Sequence, residues 1–228
     1  MVSLLGAQGC GETARPAADA AAPIASGPAV RVEAPTASPA RVGAPRIVFL
    51  GDSLTAGLGL SADQSFPALV QQRLDAGGFH YDVVNAGVSG DTSAGGLRRL
   101  EWSLDGQVAV LVVALGANDG LRGLPPDDLR KNLATILARA TSKKITVILA
   151  GMEAPPNNGR EYAEQFRAVY AGLATTYQVR FIPFLLQGVA GDPSLNQADG
   201  IHPNVRGASL VADLVWKALE PALTRTTR

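Results

Sequence analysis

The sequence predicts an α/β protein, a three-layer α/β/α sandwich around a five-stranded parallel sheet. Two observations support this prediction. From Arg46 onward, five short apolar runs alternate with segments that repeat their apolar residues at helical spacing. Before Arg46 the composition changes to alanine and proline without such a period. A compact domain is therefore predicted over residues 46 to 224, preceded by a disordered spacer over residues 1 to 45.

The predicted strands are rich in valine and isoleucine and are apolar at consecutive positions. This pattern is typical of strands that are buried on both faces of a parallel sheet. Because each crossover between parallel strands is right-handed and must cover one side of the sheet, helices are expected on both faces. The five runs are RIVFLG (46–51), YDVVNA (81–86), VAVLVVAL (108–115), ITVILAG (145–151) and VRFIPF (179–184).

Four amphipathic helices are predicted from apolar residues at helical spacing, and a fifth helix is predicted over residues 92 to 104. Asp127 and Asp128 follow two prolines and mark the start of one helix, because carboxylates are favourable beside the unpaired N–H groups of a first turn. The apolar stripes are Phe66, Leu69, Val70 and Leu74; Leu129, Leu133, Ile136, Leu137 and Ala140; Phe166, Val169, Tyr170 and Leu173; and Leu210, Val211, Leu214, Val215 and Leu219.

Cys10 is the only cysteine, and it ends the stretch LLGAQGC (4–10), which is similar to the end of a bacterial lipoprotein signal. A lipid on this cysteine would let the spacer tether the domain, which predicts a protein of the bacterial envelope, periplasmic or secreted. The stretch departs from the lipoprotein pattern because no basic segment precedes it and its apolar part is short. An ordinary thiol in an extended tail is the alternative interpretation.

Charge and composition argue against several other classes of protein. Twenty Lys and Arg residues balance twenty Asp and Glu residues without a basic run, so nucleic acid is not an expected partner. No apolar run approaches the roughly 20 residues of a transmembrane helix. One cysteine permits neither an intrachain disulfide nor a cysteine-based metal site. The glycines of GDSLTAGLG lack the lysine and the spacing of nucleotide-binding loops.

Polar residues of distinct chemistry follow the predicted strands. Ser53 follows the first strand, Gly90 lies in the glycine-rich segment after the second, and Asn118 follows the third. Asp199 and His202 lie in the segment after the fifth strand. Ligands of open parallel sheets bind beyond the carboxyl ends of the strands. These five residues are therefore expected to meet on one rim of the sheet.

Together these residues match what the hydrolysis of an ester needs. A serine hydroxyl becomes a nucleophile when a base takes its proton, and an imidazole held by a carboxylate is the usual base. We therefore expect His202 to take the proton of Ser53 while Asp199 orients the imidazole. The tetrahedral intermediate carries an oxyanion that needs fixed donors. The expected donors are the N–H groups of Ser53 and Gly90 and the side-chain amide of Asn118.

GDSL (51–54), the glycine of VSGDT (88–92), GAND (116–119) and DGIHP (199–203) resemble the four ordered blocks of the SGNH (GDSL) hydrolase family. The resemblance implies the flavodoxin-like SGNH hydrolase fold, the residue roles given above, and catalysis without a metal or cofactor. SGDTSAGGL, GANDGLRG and APPNNGREY are most similar to the bacterial branch of arylesterases, acyl-CoA thioesterase I and lysophospholipases. That branch implies a small-molecule ester or thioester as the partner.

The same branch implies substrate contacts from Gly120, Leu121, Arg122, Leu124 and Pro155. We interpret GLRGLPP (120–126) as a small flap that closes an apolar surface over the acyl chain. Its glycines would allow movement, and its two prolines would stiffen the exit into the next helix. An ordinary connecting loop is the alternative interpretation.

Two other functions stay open at this point. A carbohydrate O-deacetylase uses the same four blocks, and a non-catalytic binding module would keep the fold without turnover. Three carboxylates near the blocks, Asp52, Asp91 and Asp119, are interpreted as structural residues that hold loops through hydrogen bonds rather than as acids in the mechanism.

Overall fold

The computed structural model describes residues 43 to 224. The strands are β1 (Arg46–Gly51), β2 (Asp82–Gly87), β3 (Val108–Ala114), β4 (Thr146–Ala150) and β5 (Arg180–Ile182). They form one sheet in the order β2-β1-β3-β4-β5, and every neighbouring pair is parallel. The predicted five-stranded parallel sheet is confirmed. The edge strand β5 is shorter than its apolar run, because Pro183 has no N–H to extend the ladder.

Helices cover the sheet on both faces. They are α1 (Ser53–Ala56), α2 (Phe66–Ala76), α3 (Ser93–Arg98), α4 (Leu100–Ser103), α5 (Ala117–Leu121), α6 (Pro126–Ser142), α7 (Arg160–Tyr177) and α8 (Val205–Leu219). Short 3-10 turns occupy Ala62–Gln64, Pro156–Asn158 and Glu220–Ala222. The helix α2 packs against α8, whereas α6 packs against α3 and α7. This arrangement is the predicted three-layer sandwich.

The core lies between the sheet and these helices. Residues 47 to 50 of β1 and 111 to 114 of β3 are fully buried, as expected for central strands covered on both faces. The apolar stripes of α2, α6 and α7 are largely buried as predicted. In the fourth predicted stripe, which lies on α8, Leu210 is an exception because its side chain is 43% exposed.

The helix predicted over residues 92 to 104 is instead two short helices, α3 and α4, joined at Arg99. Two adjacent glycines, Gly95 and Gly96, lie within α3 and make a long helix over this stretch less favourable, because glycine loses more backbone entropy than other residues on folding. Two other short helices, α1 and α5, occupy the GDSL and GAND segments, over which no helix was predicted. Helices of four or five residues are too short to show a hydrophobic period.

The predicted spacer, apart from residues 43 to 45, and the predicted lipidation site at Cys10 lie outside the described residues. None of the helices between residues 43 and 224 is both long enough and apolar enough to cross a membrane.

Candidate active site

Ser53 stands where β1 turns into α1. The strand ends at Gly51, and the side chain of Asp52 accepts a hydrogen bond from the N–H of Leu54 at 3.0 Å, which caps the helix. Ser53 is the first residue of α1, so its N–H has no acceptor within the helix. The sharp turn therefore presents both the hydroxyl and the N–H of Ser53 at the carboxyl edge of the sheet.

His202 lies in the segment before α8, and several hydrogen bonds hold this segment. The N–H of Gln197 donates to the carbonyl of His202 at 2.8 Å, and its side-chain amide donates to the carbonyl of Leu58 at 2.7 Å. Asn204 caps α8 by accepting from the N–H of Arg206 at 3.0 Å. These contacts join the histidine segment to the loop that follows Ser53.

A continuous chain of hydrogen bonds links Asp199, His202 and Ser53. Asp199 Oδ2 is 2.7 Å from His202 Nδ1, and His202 Nε2 is 2.8 Å from Ser53 Oγ. Because an ionised carboxylate can only accept, the proton of the neutral imidazole belongs on Nδ1. The lone pair on Nε2 is then free to accept the proton of the Ser53 hydroxyl.

The Asp199 carboxylate is fixed by its own segment as well as by the imidazole. The N–H groups of Ile201 and His202 both donate to its Oδ1 at 3.0 Å. The hydrogen bond from the His202 ring, followed by these backbone bonds, lowers the pKa of Asp199 from 3.8 to about 2. Asp199 is therefore ionised at neutral pH, which is the state that can orient an imidazole and stabilise its charged form.

Asp52 is a second carboxyl close to Ser53, but its environment is opposite to that of Asp199. It is fully buried, and its Oδ2 has no hydrogen-bond partner among residues 43 to 224. Burial raises the pKa of Asp52 from 3.8 to about 6, and the bond from the N–H of Leu54 and the charge of His202 only partly oppose this rise. Its capping bond agrees with the structural role that the sequence suggested.

The Gly90 segment forms a tight turn beside Ser53. The N–H of Asp91 donates to the carbonyl of Val88 at 3.1 Å, and Gly90 between them has a φ of 83°, which a type II turn requires at its third residue. The side-chain amide of Asn118 donates to the carbonyl of Asp91 at 2.9 Å. One N–H of this amide is thus held, and the other is available to an oxyanion.

A buried polar network holds α5, which carries Asn118. Asp119 is 2% exposed and accepts hydrogen bonds from the N–H of Ser93 at 2.8 Å and from its hydroxyl at 2.6 Å. The amide of Asn132 in α6 donates to the same hydroxyl at 2.9 Å. The structural interpretation of Asp119 is confirmed, because its carboxylate joins α5 to α3 rather than facing Ser53.

Four of the predicted substrate residues, Gly120, Leu121, Arg122 and Leu124, lie alongside the segment that contains the fifth, Pro155. The amide of Asn158 donates to the carbonyl of Gly120 at 3.1 Å, and the hydroxyl of Tyr162 donates to that of Leu124 at 2.8 Å. Arg122 extends back and donates to the carbonyl of Gly90 at 2.9 Å. The segment is therefore connected to the turn at Gly90.

Within this segment, Leu121 and Leu124 are 47% and 36% exposed, so they offer apolar surface to solvent. Gly120 belongs to α5, and a Cβ at this position would lie 3.1 Å from Phe166 and 3.3 Å from Ala154. Close packing against these two residues explains why a glycine stands here, so no hinge is needed to account for it. Gly123, with a φ of 61°, retains the backbone freedom that the flap interpretation needs.

A small apolar pocket of about 10 Å³, room for little more than one water molecule, lies beside Ser53 and His202, and the sequence did not predict it. Its lining comes from the loop after α1, from α2, from the segment after β5 and from the start of α8. Only the leucines that follow GDSL could have been noticed in the sequence, because the other lining residues are distant along the chain. Besides Ser53 and His202, the lining residues are Leu54, Gly57, Leu58, Leu60, Phe66, Leu186, Pro203, Ala208 and Val211.

In the part of the chain that the structure describes, no group of three or more His, Cys, Asp or Glu side chains is arranged to hold a metal ion. The side chains gathered at the carboxyl edge of the sheet are instead a hydroxyl, an imidazole, a carboxylate and an amide. The fold and this hydrogen-bonded set define a serine hydrolase of the three-layer α/β/α class.

The chain belongs to the GDSL-like lipase/acylhydrolase family, whose family model matches residues 49–210. Esterase TesA of Pseudomonas aeruginosa is 44% identical over 178 residues, which are 78% of this chain and 89% of that protein. The arylesterase of Vibrio mimicus is 36% identical, over 76% of this chain and 88% of its own. Thioesterase 1/protease 1/lysophospholipase L1 of Escherichia coli K12 is 39% identical, over 77% of this chain and 83% of that protein.

Solved structures agree with this membership. The crystal structure of TesA superposes with a TM-score of 0.75 at 44% identity and covers 78% of this chain and 99% of its own. The psychrotrophic esterase EstA from Pseudoalteromonas, in a structure inhibited by monoethylphosphonate, has a TM-score of 0.74 at 30% identity, with coverages of 77% and 97%. The predicted SGNH hydrolase fold is therefore confirmed.

Proposed function

We propose that this chain hydrolyses carboxylic esters and thioesters with apolar acyl or aryl groups through an acyl-enzyme on Ser53. The observation that supports this most directly is the hydrogen-bonded chain from Asp199 through His202 to Ser53, with contacts of 2.7 and 2.8 Å. Relatives named as esterase, arylesterase and thioesterase/lysophospholipase support carbonyl substrates of both the oxygen and the sulfur type.

In the acylation half-reaction, His202 Nε2 removes the proton of Ser53 as Oγ attacks the carbonyl carbon of the substrate. The negative charge that develops on the carbonyl oxygen is stabilised by the N–H groups of Ser53 and Gly90 and by the Asn118 amide. The intermediate collapses when the imidazolium returns its proton to the leaving oxygen or sulfur. Throughout this half-reaction, the ionised Asp199 stabilises the charged ring.

In the deacylation half-reaction, a water molecule takes the place of the leaving group. His202 removes its proton, the resulting oxygen attacks the acyl carbon, and the same three donors stabilise the second oxyanion. The proton then returns to Ser53 Oγ as the carboxylic acid leaves. Both halves use the same base and donors, so no metal or cofactor is needed for this sequence of steps.

The apolar side chains that line the small pocket beside Ser53 and His202 support a substrate with an apolar group next to the reacting carbonyl. This lining of leucine, phenylalanine, proline, alanine and valine side chains offers few partners to the hydroxyl groups of a sugar. An aryl or aliphatic ester loses no such hydrogen bonds when it enters. This surface therefore favours an arylesterase or thioesterase over a carbohydrate O-deacetylase.

A substrate panel tests this function. The purified chain and its Ser53→Ala variant are assayed on p-nitrophenyl esters, acyl-CoAs, lysophospholipids and acetylated sugars across chain lengths. We expect turnover of aryl esters or acyl-CoAs by the wild type and its loss in the variant. Turnover of acetylated sugars alone would support the deacetylase, and no turnover on any member would support a binding module.

We further propose that Cys10 carries a lipid and that residues 1 to 45 tether the enzyme to the bacterial envelope. Support comes from the sequence of residues 4 to 10 and from the alanine- and proline-rich composition that follows. Metabolic labelling with a fatty-acid alkyne should mark the wild type and not Cys10→Ser. Labelling that is equal in the two proteins, or absent from both, would contradict this localisation.

A further inference from the structure

One guanidinium lies between the carboxyl ends of two neighbouring strands, β1 and β2, and the turn at Gly90. Arg99 Nη2 donates to the carbonyl of Gly51 at 2.7 Å, and Nη1 donates to the carbonyl of Ala86 at 2.6 Å. Its Nε donates to Asp91 Oδ2 at 2.6 Å. The side chain is only 17% exposed, so these contacts are sheltered from water. A single planar group thus ties β1, β2 and the turn together.

Each proposed oxyanion donor is connected to this guanidinium through one short step. Gly51 stands two residues before Ser53, and its carbonyl also accepts from the N–H of Val88, where the turn begins. Asp91 directly follows Gly90, and its own carbonyl orients the amide of Asn118. The positions of the three donors relative to one another therefore depend on where this one group holds Gly51 and Asp91.

We propose that Arg99 is a positioning residue that sets the spacing of the three oxyanion donors, Ser53 N–H, Gly90 N–H and the Asn118 amide. The proposal rests on the proposed function. Arg99 has no part in the chemical steps, and it acts through Gly51 and Asp91. Donors that stabilise a developing charge must already be in place, and a displacement of about 1 Å can reduce the rate by about 100-fold.

The chemistry of this site requires arginine in particular. Its planar fork presents several N–H groups in fixed directions, so it can bind two carbonyls and a carboxylate at once. A lysine ammonium is a compact charge that cannot reach all three acceptors in the same geometry. Arg99→Lys therefore keeps the positive charge beside Asp91 but loosens the spacing between the strands and the turn.

The test compares Arg99→Lys with Arg98→Lys, a matched control on the neighbouring residue, which is exposed. We measure kcat and KM on a p-nitrophenyl ester, and the affinity for a boronic acid that mimics the tetrahedral intermediate. We expect Arg99→Lys to lower kcat by roughly 10- to 100-fold with little change in KM. The affinity for the boronic acid should fall by a similar factor, and Arg98→Lys should match the wild type in all three values.

A purely structural arginine gives a different pattern. Arg99→Lys would then lower the melting temperature but keep the wild-type kcat and boronic acid affinity below that temperature, and this result overturns the proposal. A rise in KM alone also overturns it. If Arg99→Lys does not fold, Asp91→Asn is tested by the same measurements, because it keeps the shape of the side chain and removes its charge.

Failure of this proposal can be distinguished from failure of the proposed function. A wild-type protein that turns over no ester or thioester refutes the function itself. A wild type that is active, together with an Arg99→Lys variant of unchanged kcat and unchanged boronic acid affinity, refutes only the positioning role.

Discussion

His202 Nε2 lies 2.8 Å from Ser53 Oγ, although 149 residues separate the two along the chain. The sheet brings them together, because Ser53 follows the central strand β1 and His202 lies in the segment that enters α8. The same imidazole contacts Asp199 at 2.7 Å on its other nitrogen. Contacts on both ring nitrogens therefore hold the imidazole in place, with Nε2 directed at the Ser53 hydroxyl.

The first prediction is that Ser53 and His202 act as one unit. Ser53→Ala and His202→Ala should each remove nearly all turnover, and the double variant should be scarcely slower than either single variant. The reason is that the nucleophile and its base serve the same step. The measurement is kcat for all three proteins, with melting curves to show that they fold. Losses that multiply in the double variant would contradict the proposed triad.

The second prediction concerns Asn118. Asn118→Ala should lower kcat by roughly 100- to 1,000-fold with a smaller effect on KM, because the amide stabilises charge that develops only in the transition state. Asn118→Asp keeps the shape of the side chain but places a negative charge near the oxyanion, so its kcat should be lower still. A change confined to KM would instead make Asn118 a residue that binds the ground state.

The third prediction is a pH dependence of stability that arises from Asp52. Its folded-state pKa of about 6 lies above the unfolded value of 3.8, so the folded state holds this proton more tightly. The contribution of Asp52 to stability is therefore fully present below pH 3.8 and is lost as the pH rises through 6. The shift corresponds to at most about 3 kcal/mol. The lowered pKa of Asp199 has the opposite effect, because its contribution to stability is present above pH 3.8 and is lost as the pH falls towards 2.

This prediction is checked by urea unfolding at pH 4 and pH 7. Asp52→Asn should lose less stability between the two pH values than the wild type does, by up to about 3 kcal/mol. Asp105→Asn, at an exposed aspartate, is the control and should keep the wild-type difference. An unchanged difference in Asp52→Asn would mean that this carboxyl is not the source.

The fourth prediction tests the flap hypothesis for residues 120 to 126. Leu121→Asp should penalise hexanoyl and octanoyl esters far more than acetyl esters with the same leaving group. A hexanoyl chain has four more methylenes than an acetyl group. Each buried methylene contributes about 0.8 kcal/mol, so these four give at most roughly 100-fold in kcat/KM. Leu210→Asp is the control, because this leucine of α8 has a similar exposure of 43% against 47%. An equal loss on all chain lengths would point to a disturbed Asn118 instead.

Much of this architecture was predictable because it depends on local patterns. Consecutive apolar residues in β1 and β3 identify central strands, and GDSL and DGIHP contain the side chains that the structure joins by hydrogen bonds. The short helices α1 and α5 were missed because four or five residues show no hydrophobic period. In α1, the cap from Asp52 forms only because the chain turns at the end of a buried strand.

Features that depend on contacts between distant segments were not predictable. Nothing in the sequence distinguishes Arg99 from its neighbour Arg98, and their difference arises because one side chain meets the ends of β1 and β2. The small apolar pocket is another such feature, since Phe66, Leu186 and Val211 come from separate elements. The sequence alone suggested that Gly120 is a hinge, whereas in the structure it packs closely against Phe166.

The most direct test of the central claim is the reaction with a serine-directed organophosphonate. Intact mass and peptide mapping are followed together with residual activity on a p-nitrophenyl ester. We expect one adduct per chain, located on Ser53, with activity lost in proportion to labelling and with much slower labelling in His202→Ala. An adduct on another residue that accounts for the lost activity, or full labelling of Ser53 with activity retained, would contradict the assignment of Ser53 as the nucleophile.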